Sequence, residues 1–299
     1  MEKELGRPAP GGGPVAEFAL DVAREAWRAG SAFVEAATSA AGRRGVLASW
    51  TAGAPVDELG LDADLAETVR EIVRPLARRW LGFEEARSAT LPDKGGVLVL
   101  LNRSAWPLPV EALILWTFLC DGRVGSRRMV VLWDEDLPEL PWISDFLRRI
   151  GVVGATTDNA RALLERGAVV LAFPEGHAAR DKTYERRYRL ARFEAKGLIA
   201  AALESGARIV PGAVIGSEES YPLFGHVAGL PLTLQFPILG PLGLLPLPVS
   251  WTVKLGAAVE YTTADGEGPA VDAIADAVRA RMQALVGELL SQRDSIVAG

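Results

Sequence analysis

Residues 168–176, AVVLAFPEG, are the stretch on which the fold turns. Val169-Val170-Leu171-Ala172-Phe173 is an unbroken apolar run, stopped by Pro174 and opening onto Glu175 and Gly176. Such a run between turn residues is the pattern of a parallel strand covered on both faces. A carboxylate and a flexible glycine just past such a strand stand where open α/β sheets place ligand sites.

Strands and helices alternate on either side of this stretch. Upstream, residues 97–101 and 129–133 read as strands and 110–119 and 143–149 as helices. Val152-Val153 is a short extended piece, and Asp158 caps a helix running to Glu165. Downstream follow a helix over 194–205 and strands over 208–215 and 251–255. A last helix carries Val271, Ile274, Val278, Met282, Leu285 and Leu289 at spacings of three and four. The predicted fold class is α/β, a mixed, largely parallel sheet flanked by helices.

The domain reading is a flexible tail over 1–14, a helical N-terminal extension over 15–90 and the α/β domain over 91–299. Helical spacing runs through Phe18, Val22, Ala26, Phe33 and Ala37. A second amphipathic helix begins after Asp62, with Leu65, Val69, Ile72, Val73, Leu76 and Trp80 on one face. Either that face packs on the main domain, or it lies on a membrane surface with Arg70, Arg74, Arg78 and Arg79 toward the lipid. Residues 222–248 hold too many Pro and Gly for a long helix.

An apolar fraction of 49% with 23% charged residues describes a folded chain, and its net charge of −6 argues against nucleic acid as partner. Cys120 is the only cysteine and there are two histidines, which leaves no intrachain disulfide and no expected metal. No apolar run approaches the ~20 residues of a spanning helix. The expectation is a cytoplasmic protein, peripheral on the inner face of the membrane where it meets lipid.

Four segments carry chemistry: Asn102-x-Ser104 after the first strand, FPEG at 173–176, YRLARF at 188–193 and IVPGAVIGSEE at 209–219. Their order resembles the PlsC-like lysophosphatidic acid acyltransferases. The chain is most similar to a soluble bacterial branch that ends in LGPLGLLPLP, here 239–248, and an Arg-x-Ser tail. The resemblance spans about Val56 to Gly299. It implies acyl transfer from a thioester of coenzyme A or acyl carrier protein to a hydroxyl of a lysophospholipid or related glycerolipid. No bound cofactor is implied; the thioester is a co-substrate, and lipid, acyl carrier protein and the membrane surface are the implied partners.

In that family a histidine held by an acid accepts the hydroxyl proton just after the first strand. Here the position reads Asn102-Arg103-Ser104, and Glu111 is the only acid in reach. Arginine, with a pKa above ~12 and no lone pair, cannot be the base. Three readings follow. Arg103 and Glu111 form an ion pair in a catalytically silent member that binds lipid or regulates an active paralogue. Alternatively His177, or less favourably Glu175, supplies the base. Thirdly, the substrate's own phosphate accepts the proton.

As a nucleophile Ser104 has no neighbouring His or Lys in sequence and no Gly-x-Ser-x-Gly elbow, so a hydroxyl that caps the turn is the favoured reading. By resemblance, Ser104, Phe173, Pro174, Glu175, Gly176, Arg180 and Lys182 belong to the substrate-phosphate region. Pro174 and Gly176 shape the turn there, and Glu175 orients basic or hydroxyl groups. Trp106-Pro107-Leu108-Pro109 is apolar where polar chemistry is expected, which suits an acyl-channel wall, an anchor to lipid or protein, or ordinary packing.

Overall fold

The structure, a computed structural model, describes residues 56–57, 60–105, 109–120, 127–133, 141–227, 230–233, 246–261 and 271–293. The expected tail, the helical spacing over 18–37, Trp106 to Leu108 and most of the LGPLGLLPLP segment lie outside the described residues.

Helix α1 (Ala63–Trp80) is followed by strands β1 (Glu84–Glu85) and β2 (Val97–Leu100), helix α2 (Val110–Cys120) and strand β3 (Met129–Trp133). Next come α3 (Pro141–Arg149), β4 (Val152–Gly154), α4 (Thr157–Glu165), β5 (Val169–Ala172), α5 (Lys196–Glu204) and β6 (Arg208–Ile215). The short α6 (Ser217–Ser220), strands β7 (Leu223–Val227), β8 (Leu230–Thr233) and β9 (Thr252–Leu255), and α7 (Val271–Ser291) complete the described α-helices and strands, and two 3-10 turns, Gly176–Ala179 and Tyr184–Arg186, lie between β5 and α5.

The sheet has seven strands in the order β1-β9-β6-β2-β5-β3-β4. The five strands from β6 to β4 are mutually parallel, β9 runs antiparallel to β6, and β1 runs parallel to β9. This is the mixed, largely parallel sheet expected. β2 and β5 are central, and their alternation divides the core in two. Val97, Val99, Val169, Leu171 and Phe173 pack in one apolar cluster with α1 and α2. Leu98, Leu100, Val170 and Ala172 pack in the other with α4, α5 and α7. Each such side chain contributes about 1.5–3 kcal/mol on burial, so neither face of these strands tolerates a polar residue.

α1 begins where its sequence requires: Asp62 accepts from Leu65 N at 3.0 Å and pairs with Arg149 at 2.6 Å, both side chains buried. α1 and β1 precede the boundary expected near residue 90, yet α1 shares the core of the α/β domain and β1 pairs within its sheet. α4 is capped by Thr156, whose hydroxyl accepts from Asn159 N at 3.1 Å; Asp158, the expected cap, sits in the first turn instead. A threonine in extended conformation two residues earlier fills the cap, and an aspartate inside the turn still complements the helix dipole. Part of the Pro/Gly-rich region forms the β7–β8 hairpin, a separate two-stranded sheet.

Candidate functional site

Four parallel strands end at one edge of the sheet, and the residues just past them meet there. β2 delivers Asn102 to Ser104, β3 ends on Trp133, β5 leads into Phe173 to Gly176, and β6 leads into Gly216 to Glu219. Asn102 ties two of these ends together. Its side chain exchanges two hydrogen bonds with Val214, donating to the carbonyl at 2.9 Å and accepting from N–H at 2.8 Å. The same amide donates to Glu218 Oε1 at 3.2 Å.

Arg103 is fully buried, with its guanidinium carbon 4.1 Å from the centroid of the Trp133 ring and its Nε donating to Ser104 O at 3.3 Å. Trp133 is held edge-on by Phe173 at 5.7 Å between centroids. This stacking suits a weakly hydrated planar cation and holds the guanidinium in a dry site. Beside it, Ser104 donates both its N–H and its hydroxyl to Glu111 Oε2, each at 2.8 Å. Glu111 stands in the first turn of α2, so Ser104 acts as a brace between the strand end and the helix start. Burial raises the Glu111 pKa, opposed by the Ser104 N–H, the Ser217 and Ser104 hydroxyls and the Arg103 charge. Neither Ser217 Oγ nor Glu111 Oε1 has a hydrogen-bond partner among the described residues.

The FPEG turn carries the second half of the cluster. Gly176 has φ of +58°, which a side chain would strain, as the sequence reading of this turn requires. Glu175 is fully buried; Lys182 Nζ lies 2.8 Å from its Oε2, which also accepts from Ala191 N at 2.7 Å. The same ammonium lies 3.3 Å from Glu218 Oε1, and Tyr188 N donates to Glu218 Oε2 at 2.9 Å. Burial draws the Lys182 pKa down, but the charges of Glu218 and Glu175 outweigh it and the net shift is upward. Burial pushes Glu218 up to about 7 against the pull of Lys182, with the Glu175 charge adding to the rise.

Glu219 forms an outer tier. It binds Arg293 Nη1 at 2.5 Å and lies 3.5 Å from Arg187 Nε. Arg293 also donates to Ser250 O at 3.3 Å, so it pins the chain beyond α7 to the strand ends. Tyr188, a non-glycine residue at φ of +65°, accepts from Gly216 N at 2.7 Å through its hydroxyl.

The structure therefore brings Arg103, Ser104, Glu111, Phe173, Glu175, Gly176 and Lys182 to one edge. Arg180 is half-buried beyond the turn, and His177 is exposed on the 3-10 turn Gly176–Ala179, with no hydrogen bond or ion pair to Arg103, Ser104 or Glu111. Lys182, placed by resemblance in the substrate-phosphate region, is buried between Glu175 and Glu218. Sequence reasoning missed Trp133, Tyr188, Ser217, Glu218, Glu219 and Arg293 as site residues. Glu218 had a usable signal: like Glu175, it is a carboxylate just past an apolar parallel strand. A cleft of about 560 Å3 opens among α3, β4 and α4, and none of its lining residues belongs to this cluster.

The acyltransferase family model matches residues 83–215, which contain the ends of β2, β3, β5 and β6 but stop short of Ser217, Glu218, Glu219 and Arg293. Uncharacterized proteins of Mycobacterium tuberculosis and Mycobacterium bovis are each 35% identical over 258 residues, covering 82% of this chain and 72% of their own length. One from Mycobacterium leprae is 34% identical over 258 residues, covering 82% of this chain and 70% of its own. The crystal structure of the 1-acyl-sn-glycerophosphate acyltransferase PlsC of Thermotoga maritima superposes with a TM-score of 0.47 at 16% identity, covering 79% of this chain and 86% of that one. By the matched model and the mycobacterial relatives together, the chain belongs to the acyltransferase family.

Proposed function

We propose that this protein binds a glycerolipid of the lysophospholipid class at the strand-end cluster and does not carry out histidine-dependent acyl transfer. The observation that carries this reading is Arg103, fully buried and stacked on Trp133 where the family resemblance puts the base. A guanidinium offers no lone pair, and the exposed His177 does not reach Glu111 to form a base–acid pair. The acidic partner of that pair, Glu111, is braced by Ser104 instead. The cluster keeps the architecture of a site and lacks the histidine that would accept the proton.

One observation favours a second reading. The Ser104 hydroxyl already points at a carboxylate at 2.8 Å, the geometry of a nucleophile with its base. In that reading Glu111 takes the serine proton as Ser104 Oγ attacks the thioester carbonyl and returns it to the departing thiolate. A lysophospholipid hydroxyl, its proton passing to Glu111, then displaces the acyl group, and Ser104 regains the proton. Purified protein with labelled acyl-coenzyme A or acyl carrier protein thioester and a panel of lysophospholipids separates the two. The first reading expects saturable lysophospholipid binding with no transfer product. Turnover by the wild type would overturn it, and turnover abolished by Ser104→Ala would establish the second.

A further inference from the structure

We infer that Glu111 Oε1 and Ser217 Oγ together receive the free hydroxyl of the bound lipid, an assignment that rests on lysophospholipid binding at the cluster. These two atoms stand apart from the other buried polar atoms around them. Glu175 accepts at both oxygens, from Lys182 at 3.1 Å and from Ala191 N at 2.7 Å. Glu218 does so from Asn102, Lys182 and Tyr188 N, and Glu219 holds Arg187 and Arg293, one at each oxygen. Glu111 differs. Its Oε2 takes both bonds from Ser104, and its Oε1 has no hydrogen-bond partner among the described residues. The two buried serines of α6 divide in the same way. Ser220 Oγ accepts from Trp251 Nε1 at 2.7 Å and donates to Leu247 O at 3.1 Å, whereas Ser217 Oγ has no partner among the described residues.

The strand ends bring the two groups together. β2 and β6 are parallel neighbours, Asn102 bonds Val214 across them, and Gly216, at φ of +95°, turns the chain into Ser217. The Ser217 hydroxyl is among the groups that stabilise the Glu111 anion. Exposure is 1% at Glu111 and 0% at Ser217, so a polar atom left unpaired here is costly. Charge then selects the ligand. The Glu111 carboxylate repels a phosphate, and the buried Arg103 guanidinium, whose charge acts on Glu111, repels an ammonium group. A neutral hydroxyl fits both atoms: it donates to Glu111 Oε1 and accepts from Ser217 Oγ. Like any ligand of this buried cluster, it enters by a local opening and arrives without its hydration shell. An analogue without the hydroxyl leaves both atoms stranded, and a site built for a hydroxyl rejects such an analogue strongly.

The test compares two probes on the full chain: lysophosphatidic acid, and the analogue with hydrogen in place of its free hydroxyl. Equilibrium binding of each, below its micelle-forming concentration, is measured for wild type and Ser217→Ala. The wild type should bind the hydroxyl-bearing lipid about 50-fold more tightly, as hydrogen bonds to a buried charged group imply. In Ser217→Ala that ratio should fall about tenfold. The thermal midpoint of the variant should stay level or rise, because the hydroxyl removed bonds nothing among the described residues. A wild type that binds both lipids equally would overturn the inference and leave lysophospholipid binding standing, the pair then serving water. An unchanged ratio in Ser217→Ala would overturn it as well. So would a midpoint lowered by several degrees, since the Ser217 hydroxyl would then be a structural bond to Glu111. A wild type that binds neither lipid would refute the proposed function, and this assignment with it.

Discussion

Replacing Lys182 by methionine removes the single ammonium held between Glu175 at 2.8 Å and Glu218 at 3.3 Å. Methionine nearly fills the lysine's volume, so the perturbation is chiefly electrostatic. Two buried carboxylates are left facing each other, and breaking a buried ion pair from one side costs about 3–5 kcal/mol. The Glu218 pKa gives an independent scale: its rise from 4.5 to about 7 with Lys182 in place corresponds to about 3 kcal/mol. The sign follows from linkage. Glu218 holds its proton more tightly folded than unfolded, so its contribution is fully present below pH 4.5 and is lost as pH rises through about 7. Without Lys182, which lowers that pKa, the loss extends to higher pH and deepens. Urea unfolding of wild type and Lys182→Met at pH 5 and pH 8 is the assay. The variant should be less stable by about 3–5 kcal/mol at pH 8 and by clearly less at pH 5. A difference below about 1 kcal/mol at both values, or one larger at pH 5, would refute the reasoning.

Gly216→Ala should destabilise by about 3 kcal/mol or more, read as a lowered thermal midpoint. Its Cβ would stand 2.2 Å from Ser250 O, at a φ of +95°. Asn102→Leu should cost about 2–4 kcal/mol in urea, because it strands the N–H and carbonyl of Val214. It should also push the Glu218 pKa further up, since the Asn102 amide lowers it, and an NMR titration of the Glu218 carboxyl measures that shift.

The sheet was legible because its strands obey a single rule. β5 and β2 are apolar at every position since both faces are covered, and the expected strand over 208–215 matches β6. β1 escaped notice because Glu84 and Glu85 are polar and pair at the sheet edge, where no apolar pattern is needed. The β7–β8 hairpin was hidden by Pro and Gly, which mark turns without saying whether strands lie between them. Within the site, Asn102 to Ser104 and FPEG could be read because they adjoin strand ends. The pairing of Lys182 could not: it depends on Glu218, 36 residues away, and sequence gives the charges without their partners. Arg293 is a sharper case, lying 74 residues from the Glu219 it neutralises.

The proposed function rests on a cation at the base position, Arg103, which excludes histidine-dependent acyl transfer there. Its most direct test is single-turnover conversion of labelled acyl-coenzyme A and lysophosphatidic acid by wild type and Arg103→His, compared at equal, excess enzyme. Arg103→His restores an imidazole beside Glu111, and a positioned general base contributes about 100-fold or more. The account predicts no product above the enzyme-free rate for the wild type and measurable product for Arg103→His. Product from the wild type above the enzyme-free rate would contradict it.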